Sequence, residues 1–155
     1  DPYGIRFWPG FKGRDGCRTP MVWEDGAPNA GFSTGKPWLP VPAEHLLRAA
    51  SVQNGEPESV LARYRAALAL RKAHPALVSG TIRFLDAGGD VLAFLREGAG
   101  ERLLCVFNFA DEAARWPLPP EIVEAAPIVP AGAPDAIRNR VLSLSPLGSF
   151  IARMG

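Results

Sequence analysis

Between Val60 and Leu68 the apolar residues Val60, Leu61, Tyr64, Ala67 and Leu68 recur at helical spacing and share one face. The pattern predicts a helix over Pro57–His74. Pro57 suits a first helical position and Glu58 favours the positive end of the dipole. Arg71, Lys72 and His74 complement the other end, and Pro75 is expected to stop it. From Thr81 the period changes to short apolar or alternating runs: Thr81–Leu85, Val91–Arg96, Leu103–Phe109, Ala114–Leu118, Ile122–Ile128, Val141–Leu144 and Phe150–Ala152. Turn chemistry at Ala87–Asp90, Glu97–Gly100, Ala110–Glu112 and Pro130–Pro134 separates them. Closely spaced short strands of this kind predict an antiparallel sheet or sandwich, small but feasible at about 75 residues.

Residues 1–56 follow neither period. Pro2, Pro9, Pro20, Pro28, Pro37, Pro40 and Pro42 interrupt any long regular element. Phe7, Trp8, Phe11, Met21, Trp23, Phe32 and Trp38 nevertheless make the segment strongly apolar, unlike a disordered linker. A long irregular segment of this content is usually functional and packed against something. His45–Ala50 is compatible with a short helix. The domain boundary is expected near Leu77–Gly80. A loop and one helix cannot enclose a core, so residues before it are expected to belong to a larger domain.

Composition changes this picture little. Of 155 residues, 47% are hydrophobic and 21% charged, which permits an ordinary packed core. A net charge of +1 offers no electrostatic case for a nucleic-acid or membrane partner. No apolar run reaches membrane-spanning length. The opening Asp-Pro-Tyr-Gly lacks a leader pattern and an initiator Met, so a trimmed start is expected. Two distant cysteines, Cys17 and Cys105, make no disulfide framework, and a reducing, cytoplasmic setting is the expectation.

Most familiar chemistries are excluded by spacing. His45 and His74 stand apart from each other and from both cysteines, so no metal site is expected. There is no Gly-x-Ser-x-Gly elbow, and Cys17 reads as a small packing residue. The glycines of Gly10–Gly16 lack the strand and helix a phosphate loop needs. No cofactor is expected. Asp1, Asp15, Glu24 and Asp25 are available carboxylates without a fixed geometry, and Glu24-Asp25-Gly26 reads as an exposed turn.

Arg14 is the residue that stands out, following Gly13 and preceding Asp15 in the aromatic-rich segment. Its planar guanidinium can fork to carboxylates or to sugar hydroxyls. The plainer alternative is an ion pair that pins the loop. Arg18, beside Thr19-Pro20, leans to the structural side.

At this point the residues resemble a known family. "GRDGCRTPMVW", "AGFSTGKPWLPV" and "SVLARYRAALALRKAHPAL" are similar to the C-terminal part of α-glucosidases in the α-amylase family of glycoside hydrolases, nearest the oligo-1,6-glucosidase and maltase branch. The likeness is strong over residues 1–80 and weaker beyond, where "LLCVFNFAD" resembles a strand of the family's C-terminal domain. It implies a mixed fold: the remnant of a (β/α)8 barrel followed by a small antiparallel β-sandwich. Residues 1–78 would be the loop after strand eight and helix eight, and residues 79–155 the β domain. A mostly irregular stretch around His45–Ala50 is implied too.

The resemblance further implies a retaining mechanism whose catalytic carboxylates lie upstream. Arg14 is similar to the family arginine that reaches the non-reducing glucose, donating to a hydroxyl and a neighbouring carboxylate. Asp15, Arg18, Trp23, Phe32 and Trp38 match as loop architecture. The implied partners are an α-glucosidic oligosaccharide and the upstream barrel portion of the same enzyme. This chain alone is expected to be inactive. A parent that transfers glucose, or isomerises sucrose or trehalose, is an open alternative. A stand-alone carbohydrate-binding or structural β module is another. A binding module would need an exposed aromatic platform, and Trp116, between Arg115 and Pro117, is the one tryptophan beyond residue 38. The plain structural role, shielding the barrel end, is preferred for residues 80–155.

Overall fold

The computed structural model describes residues 1–128 and 135–155. The turn expected at Pro130–Pro134 lies outside the described residues. Backbone contacts divide the chain into two units, Asp1–Leu68 and Ala69–Gly155.

The N-terminal unit is more regular than its prolines suggest. Helix α1 (Pro2–Phe7) begins where Pro2 takes the first helical position and the Asp1 side chain accepts from the Tyr3 amide. Short 3-10 turns follow at Asp15–Cys17 and Pro28–Gly31. In place of the one short helix expected at His45–Ala50 there are two, α2 (Ala43–Leu46) and α3 (Ala50–Gly55), which overlap its ends. Ala49 is extended (ψ 150°), which parts the two helices. The free amides at the start of α3 are satisfied by a distant segment: Ala50 N donates to Val22 O at 3.1 Å and Ser51 N to Trp23 O at 2.9 Å. Ala30, left-handed at φ 55°, presents its carbonyl to Trp23 N and Glu24 N at 2.9 and 3.1 Å. Val22, Ala30 and Ala49 form a small core, with Val41, Leu46 and Val52 against it.

Helix α4 spans Val60–Ala73. It starts later than Pro57 because Ser59 caps it: Ser59 Oγ accepts from Ala62 N at 3.1 Å. Its apolar face stays open, with Val60, Tyr64 and Leu68 exposed. At the far end His74 is extended, and Pro75 opens a further helix, α5 (Pro75–Ser79), instead of only ending α4. Proline at a first helical position needs no amide partner, so the same residue stops one helix and starts the next.

The C-terminal unit is antiparallel. Among the described residues its strands are β1 (Thr81–Leu85), β2 (Val91–Gly98), β3 (Glu101–Asn108), β4 (Ala114–Pro117), β5 (Ala125–Pro127), β6 (Ala136–Arg138), β7 (Val141–Leu144) and β8 (Ser149–Met154). They form sheets of order β1-β2-β3-β8-β5 and β4-β7-β6. The core gathers Leu95, Leu104, Val106, Trp116, Ile122, Leu142, Leu144 and Phe150. The β2–β3 hairpin turns on Ala99 and Gly100, both at positive φ (53° and 77°), the hand that suits twisted strands.

Two expectations change here. The run Ile122–Ile128 contributes only Ala125–Pro127 as strand; Ile122 sits in a turn, its amide bonded to Pro119 O at 3.0 Å and its side chain in the core. Strand β6 was not expected, because three residues are too few to display a period.

Helix α5 docks on the β2–β3 hairpin by close backbone approach. A β-carbon on Gly98 would lie 2.9 Å from Gly80 Cα, and one on Gly80 would lie 2.5 Å from Ala76 O. Arg96 Nε donates to Ala76 O at 3.0 Å. The Glu101 carboxylate caps the helix, Oε1 accepting from Ala76 N at 3.0 Å. Its Oε2 lies 3.0 Å from His74 Nδ1, with side chains only 12% and 13% exposed.

Candidate functional site

Arg14 stands in a corner built by two glycines. Gly13 is left-handed at φ 77°, and a β-carbon there would come within 3.0 Å of Gly4 Cα and 3.1 Å of Asp1 Cβ. Conversely, a β-carbon on Gly4 would meet Gly13 Cα and Lys12 O at 3.0 Å. The loop therefore lies directly on α1, and this brings Arg14 beside the residue that caps α1.

That residue is Asp1, whose side chain is buried. Its Oδ1 accepts from Tyr3 N at 3.1 Å. Its Oδ2 accepts from Arg14 N at 3.1 Å and from Arg14 Nε at 2.7 Å, a length typical of a charge-assisted bond. The Arg14 side chain is 53% exposed. Among the described residues its two terminal nitrogens have no hydrogen-bond partner. Asp15 lies on the other side of Asp1, its Oδ2 2.9 Å from the Asp1 nitrogen. One edge of the guanidinium is thus anchored and the other is open to an acceptor.

The rest of the opening segment is held by polar bonds while its aromatic rings stay outside. Asn29 Nδ2 donates to Ser33 O and Gly35 O, each at 3.0 Å. Ser51 Oγ donates to Asp25 Oδ1 at 2.8 Å, and Glu24-Asp25-Gly26 is exposed as expected. Trp23, Phe32 and Trp38 are exposed, Trp38 at 92%. Arg18 is exposed. Cys17 departs from its expected packing role: it is exposed, and its Sγ donates to Arg14 O at 3.0 Å.

Trp116 is 2% exposed, with Nε1 donating to Asp86 O at 3.2 Å, so it is a core residue and offers no platform for a sugar ring. Burial pushes the Cys105 thiol up to about 11, which keeps it protonated and inert. Hydrogen bonds from His74 and the Ala76 amide, opposed by burial, hold the Glu101 carboxyl below its usual range. Among the described residues no group of three His, Cys, Asp or Glu side chains could hold a metal ion. Among the same residues no helix is long and apolar enough to cross a membrane.

Sequence reasoning singled out Arg14 but missed its tie to Asp1. The two are 13 positions apart along the chain, with no shared period, and the Gly4–Gly13 approach brings them together. A glycine at each end of a short aromatic segment was the one available signal.

Comparison with known proteins sets this corner in context. Residues 5–80 match the alpha amylase catalytic domain, and residues 82–151 match the maltogenic amylase C-terminal domain. These consecutive matches define a chain of the glycoside-hydrolase class, the end of a catalytic domain followed by a small β domain. The chain belongs to the α-amylase family. It is 50% identical over 154 residues to a probable alpha-glucosidase of Rhizobium meliloti (strain 1021), covering 99% of this chain and 27% of that protein. An oligo-1,6-glucosidase of Parageobacillus thermoglucosidasius is 34% identical over 114 residues, covering 73% of this chain and 20% of that protein. The crystal structure of the alpha-glucosyl transfer enzyme XgtA superposes with a TM-score of 0.85 at 47% identity, covering 100% of this chain and 29% of that one. The chain therefore spans about a quarter of the length of the curated relatives it matches. The mixed fold expected from the sequence, the end of a barrel domain followed by antiparallel sheets, is the fold found.

Proposed function

We propose that this chain is the C-terminal part of a retaining α-glucosidase that removes terminal α-linked glucose from oligosaccharides. In this reading residues 1–78 complete the catalytic barrel and residues 79–155 form the β domain. The catalytic carboxylates come from the preceding barrel portion, and Arg14 supplies one wall of the glucose site. The observation that carries the reading is the half-anchored Arg14, bound to buried Asp1 through Nε and open at its terminal nitrogens. A guanidinium held this way donates in a fixed plane to a sugar hydroxyl or a second carboxylate. It positions substrate and supplies no bond-breaking chemistry itself. Two relatives carrying glucosidase names, one of them 50% identical, support the same activity.

Exposed apolar residues throughout the N-terminal unit, among them Ile5, Trp8, Trp38 and Val60, suit a surface that the rest of a barrel covers. The buried Trp116 favours a structural role for the β domain over sugar binding. One observation favours a second reading, glucosyl transfer: the 47% identity to the alpha-glucosyl transfer enzyme XgtA.

The test is Arg14→Ala in the full-length enzyme with p-nitrophenyl α-glucoside. Loss of a charged donor to the sugar is expected to weaken transition-state binding by about 2–4 kcal/mol. A loss confined to thermal stability would leave Arg14 as a loop pin. Product analysis with added sugar acceptor separates hydrolysis from transfer.

A further inference from the structure

We propose that Asp1 is a positioning residue for the glucose contact made by Arg14, a proposal that rests on the Arg14 reading above. An exposed arginine samples many rotamers, and each sugar contact would then require the side chain to be ordered anew. Here the Nε edge is fixed by a 2.7 Å bond to a buried carboxylate, and the same oxygen accepts from the Arg14 amide. The guanidinium is planar, so fixing Nε sets the directions of both terminal nitrogens.

The carboxylate is itself immobilised. Its second oxygen caps α1 through Tyr3 N, and the approach of Gly13 to Gly4 closes the space around Asp1 Cβ. The chain thus holds a rigid anchor behind a half-exposed cation, the arrangement a preorganised binding group needs. Capping of α1 alone would require only one of the two oxygens.

The experiment is a double-mutant cycle in the full-length enzyme, read as kcat/KM on p-nitrophenyl α-glucoside beside the thermal midpoint. Asp1→Ala is expected to lower kcat/KM about ten- to a hundredfold, the range for removing a hydrogen bond to a charged group. Asp1→Asn, which keeps the size and capping ability, is expected to lose less and secures a folded variant. In the Arg14→Ala background, Asp1→Ala should add almost nothing, because the contact it serves is gone. Additive losses would overturn the proposal. So would Asp1 variants whose thermal midpoint falls while kcat/KM per folded enzyme stays unchanged. If Arg14→Ala itself leaves kcat/KM intact, the sugar-contact reading fails first and takes this proposal with it. If Arg14→Ala is impaired while both Asp1 variants keep full kcat/KM, only the role of Asp1 fails.

Discussion

Gly13 does at one position what no side chain could. Its φ of 77° is strained for other residues, and a methyl group there would strike Gly4 Cα and Asp1 Cβ at 3.0–3.1 Å. Gly13→Ala is therefore expected to destabilise the native chain by about 1–3 kcal/mol, seen as a lower urea midpoint at unchanged slope. It should also displace Arg14 from Asp1. Gly16, with nothing within 4 Å of a built β-carbon, is the matched control, and Gly16→Ala should be close to neutral. Arg14 was legible as a candidate because its neighbours resemble a family motif. Asp1 was visible only as one carboxylate among several. Its role depends on a contact between segments that sequence spacing does not encode. Cys17, expected as a packing residue, is exposed, whereas the burial of Trp116 agrees with the structural role preferred for the β domain; packing in three dimensions decides which small or aromatic residue is inside.

Among the elements, the junction of α5 with the β2–β3 hairpin carries a pH-dependent tie. Glu101 binds His74 and the Ala76 amide, and these bonds lower its proton affinity in the folded state. A carboxyl whose folded value lies below its unfolded one adds stability above the unfolded value, and that stability is lost as pH falls through the folded one. The contribution should thus be present at neutral pH and fade below the ordinary glutamate range, roughly pH 4. Glu101→Gln is expected to lower stability at pH 7 and to flatten the acid limb of a stability–pH profile; equal slopes for both proteins would refute the tie. Helix α4 and strands β1, β4 and β7 were legible as elements, since each displays a full period. Helix α5 and strand β6 were not, because five and three residues are too short to show one. Pro75 follows the end of α4, and the same ring also suits the start of the next helix.

For the whole molecule, the proposed division of labour predicts that the 155-residue chain alone does not turn over p-nitrophenyl α-glucoside at any concentration; measurable, saturable turnover would sink the placement of the carboxylates upstream. The pattern along the chain was enough to show a helix followed by an antiparallel β domain, and its motifs were enough to point to a family. Those properties are local: they reside in residue period, turn chemistry and short contiguous stretches. Only the tertiary structure decided that Asp1 anchors Arg14, that Trp116 is core and that Glu101 caps α5. Each of these depends on which surfaces meet; close backbone approach at Gly4–Gly13 sets the first, and at Gly80–Gly98 the junction that Glu101 caps.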